Sequence, residues 1–183
     1  MKVSDFKNLL DEVCVYTVDL YKKNNVFSPD FTLKRADASL IKQSKFWPDT
    51  TQEKDGYGGW DWDGIWWPSR YKKERFCIAL CQGEVVSALF SGKVQNSSSE
   101  VRLEYIQRSA SAGGVKGIVT PVAITFAAVL AHSLSVENVV VSNPAPLVVQ
   151  HYVTHMRGSV SLSYQRQVVT AISVKAQDVI SFL

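Results

Sequence analysis

The stretch from Val101 to Gly158 constrains this chain more than any other. Val101-Arg-Leu-Glu-Tyr-Ile-Gln107 has the β-branched and aromatic content of a strand. Gly113-Gly-Val-Lys-Gly117 follows at the expected start of a helix, and an apolar helix runs on through Ala131. Val139-Val-Val141 reads as a second strand, Ser142-Asn143-Pro144 ends it, and a second helix carries His151 and Tyr152. Strand, glycine turn, helix, strand, turn, helix is the order of an α/β core. A glycine turn before a helix offers free N–H groups and the positive end of the helix dipole, both of which favour anions. A phosphate-bearing ligand is therefore expected at that turn.

The flanking segments complete one domain, and with no internal repeat or linker it is expected to span residues 1–183. Ser4 can cap a helix to about Lys23, with Phe6, Leu9, Leu10, Val13, Thr17 and Leu20 on one apolar stripe. Phe31–Lys34 suggests a short strand, and Asp37–Lys45 a short helix stopped before Pro48. Arg75–Cys81 and Val85–Phe90 form a hairpin through Gln82-Gly83-Glu84. Thr120 and Pro121 supply an N-cap and a first-turn proline for the long helix, whose Ala123, Phe126, Ala127, Leu130 and Leu134 pack one face. Val160–Val174 alternates as one strand or a hairpin, and Val179–Phe182 reads as a last strand. Residues 46–73 are a long connection holding all five tryptophans, with Asp61 and Asp63 among them. These indoles either form an acceptor wall, with the two carboxylates drawing in a cationic amine, or cover apolar surface.

Several function classes are excluded or disfavoured. A net charge of +3 is too mild to argue for nucleic acid by itself. No apolar run approaches the roughly 20 residues that span a bilayer, and the N-terminus lacks a signal-peptide core, so no membrane partner and a cytoplasmic location are expected. Three cysteines, Cys14, Cys77 and Cys81, make no disulfide framework and read as reduced and buried, with Cys77 and Cys81 on one side of a strand. His151 and His155 stand four apart with no acid between them as a metalloprotease helix requires, so no metal site is expected. No serine sits in a nucleophile elbow, which disfavours an acyl-enzyme.

The order of elements from Arg75 to Gly158 resembles the GNAT family of acetyl-coenzyme A-dependent N-acyltransferases. The hairpin is similar to that family's second and third strands, Val101–Gln107 to its fourth, and the turn Gly114-Val-Lys-Gly117 to its pyrophosphate loop. Gly117 fits that loop squarely, whereas Gly114 stands where Gln or Arg is usual and Val119 where a second small residue is usual. Asn143 resembles the asparagine after the fifth strand, and Tyr152 the helix tyrosine that protonates the departing thiolate.

The resemblance implies a mixed α/β fold with a mostly antiparallel sheet, flanked by helices, whose parallel fourth and fifth strands splay apart around pantetheine. It implies acetyl-coenzyme A as cosubstrate and direct transfer to a primary amine in a ternary complex. Ile106, Arg108, Gly114, Val115, Lys116, Gly117, Val119 and Asn143 would then line the coenzyme. Glu104 would take the ammonium proton, and Tyr152, or His151 beside it, would protonate the thiolate. Trp60, Asp61, Trp62 and Asp63 would face the acceptor. Two rivals stay open: a non-catalytic binding module, suggested by the altered loop, and a related transferase acting on a nucleic-acid base or aminoacyl-tRNA, suggested by Tyr71, Lys72, Lys73 and Arg75 beside the tryptophans. The C-terminal strands would complete either this chain's sheet or that of a second copy in a homodimer.

Overall fold

In a computed structural model, which describes residues 1–24, 29–48 and 59–181, seven strands form one sheet in the order β1-β2-β3-β4-β5-β7-β6. The strands are β1 (Thr32–Arg35), β2 (Arg75–Gln82), β3 (Val85–Gln95), β4 (Glu100–Arg108), β5 (Asn138–Ser142), β6 (Ser161–Gln165) and β7 (Val168–Lys175). Every neighbouring pair is antiparallel except β4 and β5. The helices are α1 (Val3–Asn24), α2 (Ala38–Ser44), α3 (Trp62–Trp66), α4 (Val119–Ser133), α5 (Val149–Met156) and α6 (Ala176–Ser181).

Two apolar layers sandwich the sheet. Phe6, Leu10 and Val13 of α1, with Phe126 and Leu130 of α4, pack on Phe76, Phe90 and Leu103. The opposite face is smaller: Leu40 and Ile41 of α2 and Trp62 of α3 cover Cys77, Ala79, Cys81 and Leu89. Asp37 starts α2 by accepting hydrogen bonds from the backbone N–H of Ser39 and Leu40, which holds its carboxyl below the usual carboxylate range. Helix α4 is buried around nearly its whole circumference from Val122 to Ala131, rather than along the one face expected from its spacing. With α1, α5 and α6 all packed on it and the sheet beneath, it has no solvent side.

Two sequence expectations are corrected, and a third feature departs from simple strand alternation. Val179 belongs to a helix, α6, not to a strand; buried Ala176 and Val179 are three apart, as one helix face requires, and Phe182 lies outside the described residues. Helix α4 begins at Val119 with Ile118 as an uncapped N-cap residue, so Thr120 is not the cap and Pro121 is the third helical residue. Proline is tolerated there because the first four N–H groups of a helix lack intrahelical acceptors anyway. Third, strict alternation would place Tyr105 with Leu103, but a β-bulge intervenes. Ser91 pairs with Tyr105 and Gly92 with Leu103, leaving Glu104 as the extra residue in β4. Leu103 therefore packs under α4 while Tyr105 joins the opposite layer. The C-terminal hairpin is resolved as two strands that complete the chain's own sheet.

The cysteines are free and buried, as expected, and burial pushes all three thiols up. An aromatic disulfide reagent should label them at least about a hundredfold more slowly in the native protein than in denaturant, because thiolate is scarce and access needs opening. Rapid native labelling, followed by absorbance, would contradict this burial.

Candidate active site

The parallel pairing of β4 with β5 runs only from Glu100↔Asn138 to Leu103↔Val141. Beyond it β4 continues to Arg108 beside β3, while Ser142 of β5 pairs with Ala171 of β7. Among the described residues, the β5-facing edge of β4 from Glu104 to Arg108 has no strand partner, and the two strands diverge into a V. The V opens into a cleft of about 830 Å³. That volume suits a cofactor-sized ligand. At the apex, Arg102 of β4 donates to Ser142 Oγ of β5 at 2.9 Å and bolts the two strands together where their ladder ends.

The cleft's outer end is built by the β4–α4 connection. Gly113–Val115 form a 3-10 turn, Gly117 sits at φ +85°, and α4 starts two residues later with no side-chain cap. The first N–H groups of α4 thus have no acceptor in the helix and lie at the cleft with Lys116, Gly117 and Thr120. Arg108 folds over this connection and donates to the carbonyls of Ser109 (2.8 Å) and Ala112 (3.1 Å), so its first role is to shape the loop. Opposite, Asn143 takes φ +45°, a conformation asparagine tolerates well, and its N–H donates to Thr170 O at 2.8 Å.

The cleft brings together most of the residues singled out from the sequence: Glu104, Ile106, Arg108, Lys116, Gly117, Val119, Asn143, His151, Tyr152 and Trp60 line it. Gly114 and Val115 do not. A Cβ on Gly114 would meet Gln82 Nε2 at 2.8 Å, and Val115 is buried in the core. Three of the proposed acceptor residues are engaged elsewhere. Asp61 caps α3 by accepting from Gly64 N, Asp63 pairs with Lys45, and buried Trp62 donates from Nε1 to Gln107 Oε1 at 2.9 Å. The indoles of Trp47 and Trp66 likewise donate to Val86 O and Ala36 O, so the tryptophan-rich connection is pinned to the sheet at several points. Only Trp60 of the four turns to the cleft, edge-on to Tyr105 with centroids 5.1 Å apart.

Two groups of titratable side chains stand at the cleft. Tyr152 of α5 lies half-buried against the core, and burial pushes its pKa up to about 12, so its hydroxyl is held as a donor. His151, beside it, is exposed and stacks edge-on to His155 at 4.5 Å. Glu104, with a side chain only 17% exposed, gives one oxygen to Arg75 Nη1 (3.1 Å) and the other to Lys93 Nζ (2.9 Å). Lys93 and Arg102 are cleft residues that composition alone does not reveal. Lys93 is the one charge in β3 and Arg102 is one of several in β4, and the meaning of both depends on the strand register.

No protein-family model matches the chain, and no curated protein matches it either. Solved structures do match it in three dimensions. PaiA N-acetyltransferase from Thermoplasma acidophilum, in complex with coenzyme A, is 7% identical with a TM-score of 0.55, over 80% of this chain and 99% of that one. Spermidine N-acetyltransferase from Vibrio cholerae, in complex with coenzyme A and spermine, is 10% identical at 0.54, over 82% and 98%. An acetyltransferase of the GNAT family from Staphylococcus aureus Mu50 is 6% identical at 0.57, over 80% and 99%. At such identities the likeness is one of architecture, and by its sheet order, its parted β4 and β5 and these neighbours the chain has the GNAT acetyltransferase fold.

Proposed function

We propose that the protein is an acetyl-coenzyme A-dependent N-acetyltransferase that acylates a primary amine by direct attack in a ternary complex. The observation that carries this reading is the unpaired β4 edge in a cleft that ends at an uncapped helix and Lys116. Amide groups of an extended pantetheine fit a free strand edge as an added strand would. The first N–H groups of α4 and the Lys116 ammonium suit a pyrophosphate. Two neighbours of the same fold were crystallised with coenzyme A, which supports the choice of ligand.

In this reading the β4 backbone around Ile106 orients and polarises the thioester carbonyl. Glu104, the one carboxylate lining the cleft among the described residues, attracts the incoming ammonium and takes its proton through water. Attack by the neutral amine forms the amide bond as the carbon–sulfur bond breaks; Tyr152 gives its proton to the departing sulfur, and the proton shed by the acylated nitrogen restores the tyrosine through water.

Titration calorimetry with acetyl-coenzyme A tests the cosubstrate. Binding in the micromolar range is expected, and charge reversal at Lys116 (Lys116→Glu) should weaken it about tenfold or more by replacing an attractive phosphate contact with a repulsive one. Absence of heat at millimolar ligand would overturn the proposal.

A further inference from the structure

A row of charges crosses the sheet and reaches the cleft floor at Lys93, Arg102 and Glu104, an arrangement that the transfer chemistry does not itself require. Across three adjacent strands the register sets Arg75 of β2 opposite Lys93 of β3, and Lys93 opposite Arg102 of β4. Like charges directly opposed across a ladder are destabilising, so a row of three needs counter-charge. Two carboxylates supply it. Glu104, two residues along β4 from Arg102 and so on the same face, bridges Arg75 and Lys93, and Glu100 pairs with Arg102. Three cations against two anions leave one unit of positive charge. All five side chains are at least two-thirds buried, with exposures of 30% for Arg75, 28% for Lys93, 27% for Arg102, 17% for Glu104 and 11% for Glu100. Excess charge so shielded from solvent is screened weakly. It lies at the apex of the V, away from the helix end that would take phosphates.

The same apex presents Glu104 as the one carboxylate lining the cleft among the described residues, with Trp60 and Tyr105 as an aromatic wall. Asp61 and Asp63, which would suit a polycation, are spent on a helix cap and on Lys45. We infer that the acceptor is a small amino acid-like zwitterion, its carboxylate seated on Lys93 and Arg102 and its ammonium turned to Glu104. The side chain of such an acceptor would lie against Trp60 and Tyr105. The same floor repels a polyamine, in contrast to the spermidine acetyltransferase of the same fold. This inference rests on the transferase reading.

The experiment pairs each of several apolar and aromatic α-amino acids with its carboxamide, which keeps the amine and removes the anion. Thiol release from acetyl-coenzyme A is followed for both, with spermidine as a third acceptor, and coenzyme A affinity is measured separately by calorimetry. The free acids should show kcat/KM about tenfold to a hundredfold above their amides, the range of a charge-assisted contact. Lys93→Met should raise KM for the acids more than for the amides, with any change transmitted through its partner Glu104 falling on kcat for both alike, while Lys93→Arg should retain the discrimination. Amides or spermidine serving as well as the acids would overturn the inference while leaving the transferase reading intact, as would an equal effect of Lys93→Met on acids and amides. A wild-type protein that fails to bind coenzyme A would overturn the transferase reading and this inference with it.

Discussion

Replacing Tyr152 with phenylalanine should lower kcat for acetyl transfer about a hundredfold or more, while coenzyme A affinity changes by less than about threefold. Positioned proton donors contribute roughly that range. The substitution deletes one oxygen and leaves the half-buried ring to pack as before, so binding and folding are spared. The sign of the pH dependence follows from burial. Because the pKa of Tyr152 is raised to about 12, its hydroxyl stays protonated well above neutrality, and the donor form predominates from about pH 6 to 10. Activity should therefore not fall across that interval from loss of this proton. An imidazole donor titrates near neutrality and would give a decline there. His151→Ala is the companion variant: a loss as large as that of Tyr152→Phe would move the acid to His151 and refute the assignment, and steady-state kinetics at two pH values decides it.

The second large effect lies in the sheet. Gly92 pairs with Leu103 beside the bulge, and a Cβ there would meet the Arg102 carbonyl oxygen at 2.0 Å and Phe76 Cζ at 2.7 Å. Real Cβ atoms do not approach a backbone oxygen so closely, and a backbone on two paired strands has little room to yield. Gly92→Ala should cost about 3 kcal/mol, the upper part of the usual overpacking range. For a domain of this size that lowers Tm by about 6–12 °C. Gly83 provides the contrast: it sits in the β2–β3 turn at φ +60° with open space around it, so Gly83→Asn, which tolerates that backbone, should shift Tm by only a degree or two. Thermal unfolding followed by circular dichroism measures both. A Gly92→Ala protein melting within about two degrees of wild type would mean that the close approach of β3 to β4 is not as described.

How legible all this was in the sequence varies with the kind of interaction. The strands and helices between Arg75 and Met156 declare themselves through local composition and periodicity, because each is long enough or bounded by sharp turns. A six-residue apolar end such as Ala176–Ser181 does not, since a short run satisfies a strand and a helix face alike. The helix end of the cleft is also readable, because Lys116, Gly117 and the helix start are neighbours in the chain. The apex is not. Lys93 and Arg102 are cross-strand partners brought together by register, and register is a tertiary property. The two readings of the tryptophan segment, acceptor wall or apolar cover, stay open in the sequence because nothing local shows that Asp61 caps α3 and Asp63 meets a lysine on another segment.

The bulge at Glu104 gives this last point a sharper form. Before it, Val101 and Leu103 face the helices; after it, Ile106 does, and Tyr105 looks the other way. One supernumerary residue thus changes the parity of the strand halfway along, and everything that the second half shows to the cleft depends on that change. The cleft surface is in this sense written as a count as much as a composition. A lineage could exchange many of these side chains and keep the cleft, whereas losing a single codon in this strand would exchange its wall with its core.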